Sequence, residues 1–101
     1  MTWTTVAKFD ELPEEEGVCV VAEGRKIALF KIGDEVFAID DTCSHAEAQL
    51  SQGFVEDCAV ECPLHQACFD LRTGAALSAP ATEPVNTYPA KVEAGAVLIE
   101  L

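Results

Sequence analysis

The sequence predicts an all-β fold of antiparallel sheets, on three observations. Its apolar runs are short, none keeps a helical period, and Gly and Pro interrupt them at intervals suited to strands and tight turns. At 101 residues the chain is long enough for one domain. Half of its residues are hydrophobic, which argues against disorder and for a core that needs no disulfides. There is no internal repeat and no low-complexity tract.

Taken in order, Val18 to Ala22 is expected to be a strand, bounded by Gly17 and Gly24. In the next strand Ile27 and Leu29 alternate with Ala28, Phe30 and Ile32, so both of its faces are expected to be partly buried. Gly33-Asp34 fits a tight turn into a strand from Glu35 to Asp40. Phe54-Val55 and Ala59-Val60 flank Glu56-Asp57 and predict a hairpin, and Phe69 to Leu71 runs into a turn at Thr73-Gly74. Asn86 to Val92 and Val97 to Leu101 predict a closing hairpin that turns at Ala94-Gly95. Pro89 lies inside the first of these runs and has no N–H to donate, so an edge or bulge position is expected there. Residues 41–82 are expected to form an insertion whose ends return to a sheet built from both termini. Within it Ala46 to Ser51 has room for one helical turn, and Ser78-Ala79-Pro80-Ala81 is expected to be a loop.

Eighteen acidic side chains against six basic ones give a net charge of −12. Such a surface repels nucleic acid and anionic lipid and suits a carrier steered to basic patches on protein partners. No apolar run approaches the ~18 residues of a membrane span. The start, Met1-Thr2-Trp3-Thr4-Thr5, lacks the basic and apolar pattern of a signal peptide, so the cytoplasm is the expected compartment.

The chemistry is concentrated in two short motifs, Cys43-Ser44-His45 and Cys62-Pro63-Leu64-His65, with sixteen residues between them. Each offers one thiolate and one imidazole, and they contain both histidines of the chain. Two Cys and two His at one tetrahedral site would suit structural zinc. Zinc fingers, however, pair Cys with Cys and His with His, whereas each motif here mixes the two. Two mixed motifs can instead give a thiolate pair to one iron and an imidazole pair to another, the ligand set of a Rieske 2Fe–2S centre. Neutral imidazoles remove negative charge from the cluster and so favour its reduction. Of the five cysteines, Cys19, Cys58 and Cys68 remain. Three thiols cannot pair completely, and free Cys is a commonly buried residue type, so these are expected in the core.

The two motifs, together with Leu50-Ser51-Gln52-Gly53, Phe69-Asp70-Leu71 and Thr73-Gly74, resemble those of the soluble Rieske ferredoxins of bacterial aromatic-ring dioxygenase systems. The resemblance covers essentially the whole chain, from Leu12-Pro13 to Tyr88-Pro89 and beyond. It implies a single domain over residues 1–101, with antiparallel basal sheets or a barrel and a small cluster-binding subdomain at about 41–82. It also implies that Cys43 and Cys62 bind the buried iron and that His45 and His65 bind the iron nearest solvent. Pro80 would fall in a third loop covering the cluster. The implied role is that of an electron carrier without substrate chemistry, a monomer in isolation. It would pass single electrons from a flavoprotein NAD(P)H reductase to a terminal oxygenase. A Rieske-type small subunit of another oxidoreductase, such as nitrite reductase, is the alternative. Two departures concern the loops, since Gln66 and Ala46 stand where the family has Gly after each His. Three more bear on the potential. Ala48 and Leu64 occupy the positions of the disulfide found in respiratory Rieske subunits. Ala67 and Phe69 stand where those subunits aim hydroxyls at the cluster. Together these imply a low potential.

Overall fold

The computed structural model describes residues 2–42, 48–63, 67–77 and 83–101. Among the described residues ten strands form three antiparallel sheets: β1 (Trp3–Lys8), β2 (Gly17–Ala22), β3 (Arg25–Ile32), β4 (Glu35–Asp40), β5 (Phe54–Glu56), β6 (Ala59–Glu61), β7 (Cys68–Asp70), β8 (Thr87–Tyr88), β9 (Ala90–Glu93) and β10 (Ala96–Glu100). The first sheet has the order β1-β10-β9, the second β2-β3-β4-β8 and the third β5-β6-β7. Among the described residues no helix is long and apolar enough to cross a membrane.

Turn chemistry explains the hairpins. Three two-residue turns place both central residues at positive φ: Glu23-Gly24, Asp57-Cys58 and Ala94-Gly95. This geometry follows the right-handed twist of the flanking strands. The β5–β6 turn therefore sits at Asp57-Cys58, one residue beyond the expected Glu56-Asp57. At Gly33 only the first turn residue has positive φ, as the Gly33-Asp34 expectation requires.

The central strand β3 has a buried residue on each face in turn. Ile27 and Leu29 pack with Leu12, Val36, Ala38, Val97 and Ile99 in one core. Ala28 and Phe30 pack with Ile39, Leu50, Val60, Phe69 and Leu71 in a second. All four β3 side chains are fully buried, which is why this strand shows continuous hydrophobicity in place of alternation.

The expected closing strand from Asn86 to Val92 is interrupted at Pro89. Tyr88 pairs with Ala38 of β4, whereas Ala90 pairs with Ile99 of β10. Pro89 therefore marks a crossing between two sheets, and its carbonyl accepts the Glu100 N–H at 2.9 Å. The termini pair in the β1-β10-β9 sheet, and Thr2 and Leu101 exchange backbone hydrogen bonds there. The excursion after β4 returns to β8 in the other sheet, so its ends do not meet in the sheet of the termini, as the sequence had suggested.

Asp40 ties this neck. Its N–H reaches the Asn86 carbonyl at 3.0 Å, its carboxylate accepts the Asn86 N–H at 3.2 Å, and it accepts the Tyr88 hydroxyl at 2.6 Å.

Candidate metal centre

Of the four expected ligands, Cys62 lies within the described residues. Cys43, His45 and His65 lie outside them, as do Gln66, Leu64, Ala46, Pro80 and the loop expected at 78–81. What the structure does show is the residues that flank each of the two motifs. Thr42 and Gln49, on either side of the first motif, form an antiparallel bridge. Glu61 pairs with Cys68 at the end of the β6–β7 ladder, and the Cys62 N–H reaches the Ala67 carbonyl at 2.6 Å, closing the second loop.

These two loop bases meet on one core. Ala48 and Leu50 from the first pack in the same buried cluster as Cys62, Ala67 and Phe69 from the second. Cys62 is 1% exposed, and Ala67 and Phe69 are fully buried. The donor set suits an iron–sulfur group on physical grounds. A thiol held among apolar side chains, as Cys62 is, would keep water from a metal bound to it.

Close packing holds this arrangement. Gly53 has extended backbone, and a Cβ there would run into the Glu61 carbonyl, next to Cys62. A 3-10 turn at Leu50–Gln52 lies at the end of the stretch for which a helical turn was expected at Ala46 to Ser51. The part of that expectation over residues 46 and 47 falls outside the described residues.

Asp41 is the functional-site residue that sequence reasoning missed. It is fully buried, and its carboxylate accepts the Ser51 N–H at 2.9 Å and the Gln49 side-chain amide at 3.0 Å. Its own carbonyl accepts the Leu50 N–H at 2.6 Å. Burial alone would raise its pKa, but hydrogen bonds from Ser51, Gln49 and Cys19 outweigh that and hold the carboxyl below its ordinary value. The only signal in the sequence was an Asp two residues before Cys43, one acid among eighteen acidic side chains.

The leftover cysteines correct one expectation. Cys19 is exposed, and Cys58 and Cys68 are half-buried, so none of the three is a fully buried core residue. Cys19 lies on the edge strand β2 beside Asp41, and partial burial together with Asp41 pushes its thiol pKa up. Cys58 occupies the left-handed turn position after Asp57, where it packs against the margin of the second core.

Residues 2–100 match the family model described as a Rieske-like [2Fe-2S] domain. The chain is 50% identical over 99 residues to the anthranilate 1,2-dioxygenase ferredoxin subunit of Burkholderia cepacia, covering 98% of this chain and 92% of that protein. It is 57% identical over 76 residues to the 3-phenylpropionate/cinnamic acid dioxygenase ferredoxin subunit of Shigella flexneri, covering 74% of this chain and 72% of that one. A solved complex of reduced oxygenase and oxidized ferredoxin in carbazole 1,9a-dioxygenase contains a chain with the same fold, at a TM-score of 0.90 and 31% identity over 96% of this chain and 91% of that chain. The paired loop bases, the buried Cys62 and these similarities agree: the chain belongs to the family of Rieske-like [2Fe-2S] domains, and a Rieske-type 2Fe–2S cluster is its cofactor.

Proposed function

We propose that this chain is an electron carrier, accepting single electrons from a flavoprotein NAD(P)H reductase and delivering them to the terminal oxygenase of an aromatic-ring dioxygenase. The observation that carries the reading is the convergence of both ligand-bearing loop bases on the core around Cys62. In this reading Cys43 and Cys62 hold the inner iron and His45 and His65 the outer one. Residues 41–82 form the cluster-binding part of a single domain over 1–101, and the carrier works as a monomer in the cytoplasm.

When bound, the cluster supplies one-electron redox chemistry. The polypeptide fixes the ligands, excludes water from the thiolate side and presents the imidazole side to partners. The names of the relatives support the dioxygenase setting, and the acidic charge fits it, since a net charge of −12 steers encounters with basic partner surfaces. Both ligand motifs are intact, as electron transfer requires. The relatives' names favour the dioxygenase carrier over the small subunit of a nitrite reductase.

Stopped-flow mixing tests the reading. The oxidised protein should be reduced by the reductase, then reoxidised by the terminal oxygenase, and both rates should fall as salt rises. Absence of electron transfer to the oxygenase from a fully loaded protein would overturn it.

A further inference from the structure

Among the described residues Asp41 is the only buried charged side chain. Its two oxygens are shared between donors that follow the first motif. One takes the Ser51 N–H at 2.9 Å and the other the Gln49 amide at 3.0 Å. The Ser51 hydroxyl donates to the same carboxylate. Both oxygens therefore act as acceptors, the arrangement an ionised carboxylate makes. Among the described residues no Lys or Arg forms an ion pair with it. A lone charge in the interior is costly, and an amide of the same size could make most of these bonds without that cost. Holding the chain together here does not by itself call for the charge.

We propose that Asp41 is a fixed negative charge that holds the potential of the cluster low, an inference that rests on the carrier reading above and on Cys43 as a ligand. Its position makes it effective. Asp41 stands two residues before Cys43, so covalent geometry alone keeps their Cα atoms within about 7 Å of each other. On the other side its carbonyl accepts the Leu50 N–H, and Leu50 packs in the core that contains Cys62. The charge is thus close along the chain to one expected thiolate and one hydrogen bond from the core around the other. Burial removes the water that would screen it, so its repulsion is felt more strongly than that of the exposed acids. Reduction adds a negative charge to the cluster, and a fixed negative charge nearby opposes that step. Its donors soften the effect without cancelling it, because they are neutral groups and bring no positive charge.

Protein-film voltammetry of the cluster-loaded protein tests this with two variants of opposite expected sign. Asp41→Asn keeps the size of the side chain and removes the charge, so the midpoint potential should shift up. Ser51→Ala keeps the charge and removes a hydroxyl that partly offsets it, so the potential should shift down. Simple loosening around the first motif would move both variants the same way. An unchanged or lowered potential in Asp41→Asn would overturn the proposal, as would an upward shift in both. If Asp41→Asn takes up no cluster, Ser51→Ala decides: a downward shift supports the fixed charge, and an unchanged or raised potential overturns it. A wild-type protein that binds no 2Fe–2S cluster would remove the carrier reading itself. A loaded wild type that transfers electrons, with a potential indifferent to the charge at position 41, removes this inference alone.

Discussion

Asp41 accepts the backbone N–H of Ser51 at 2.9 Å, and this bond joins a residue two positions before Cys43 to the 3-10 turn at Leu50–Gln52. With Gln49 on the other carboxylate oxygen, Asp41 closes the base of the loop from inside the protein. Asp41→Ala would leave the Ser51 N–H without its partner in a buried setting. The expected cost is about 1–3 kcal/mol of stability, the usual range for an unsatisfied buried polar group. Urea unfolding of the loaded variant checks this, and its cluster bleaching should also be faster than in wild type. Wild-type stability together with wild-type bleaching would contradict this role.

Tyr88 carries a second prediction. Burial, then its hydrogen bond to Asp40, pushes the phenol pKa above its ordinary value. A group whose folded pKa is raised contributes stability that is present below the unfolded pKa, about 10 for Tyr, and is lost as pH climbs through the folded value. Tyr88 is the only tyrosine in the chain, so its phenolate absorbance can be followed alone. It should titrate above the ordinary value of a tyrosine, and the stability difference between wild type and Tyr88→Phe should shrink at alkaline pH. Titration at the ordinary value would contradict the Asp40 contact.

Much of the fold was legible because its signals are local. Gly33-Asp34 and Ala94-Gly95 name their own turns, and β3 shows burial on both faces through Ile27, Ala28, Leu29 and Phe30. Pro89 announced an irregularity, but its nature depends on which sheet Tyr88 and Ala90 each join, and that is a tertiary fact. The same holds at the site. The Cys–His motifs are visible as residue types at a spacing, whereas Asp41 matters only because Gln49 and Ser51 fold back onto it. A small apolar side chain such as Cys19 suggests an inward position by its type alone. Instead it sits on the exposed side of the edge strand β2.

A third prediction separates ligand from bystander thiols. Cys43→Ser and Cys62→Ser should each abolish the cluster, while Cys19→Ser, Cys58→Ser and Cys68→Ser should each keep it. Iron and acid-labile sulfide analysis reads the outcome, with two of each per chain expected in wild type for a [2Fe-2S] domain. Loss of the cluster from any of the three bystander variants would show the ligand assignment to be wrong.

The central claim, a low-potential carrier, is tested most directly by the midpoint potential. Reduction adds negative charge to the cluster, so each hydroxyl donor aimed at its sulfurs favours the reduced form. Ala67 and Phe69 are fully buried beside Cys62 and have no hydroxyl to offer. Phe69→Tyr should therefore raise the potential where the new hydroxyl reaches a cysteine sulfur. For the wild-type protein, film voltammetry should give a one-electron wave near the low end of the Rieske range, about −150 mV. A value above about +100 mV, in the upper part of that range, would contradict the account.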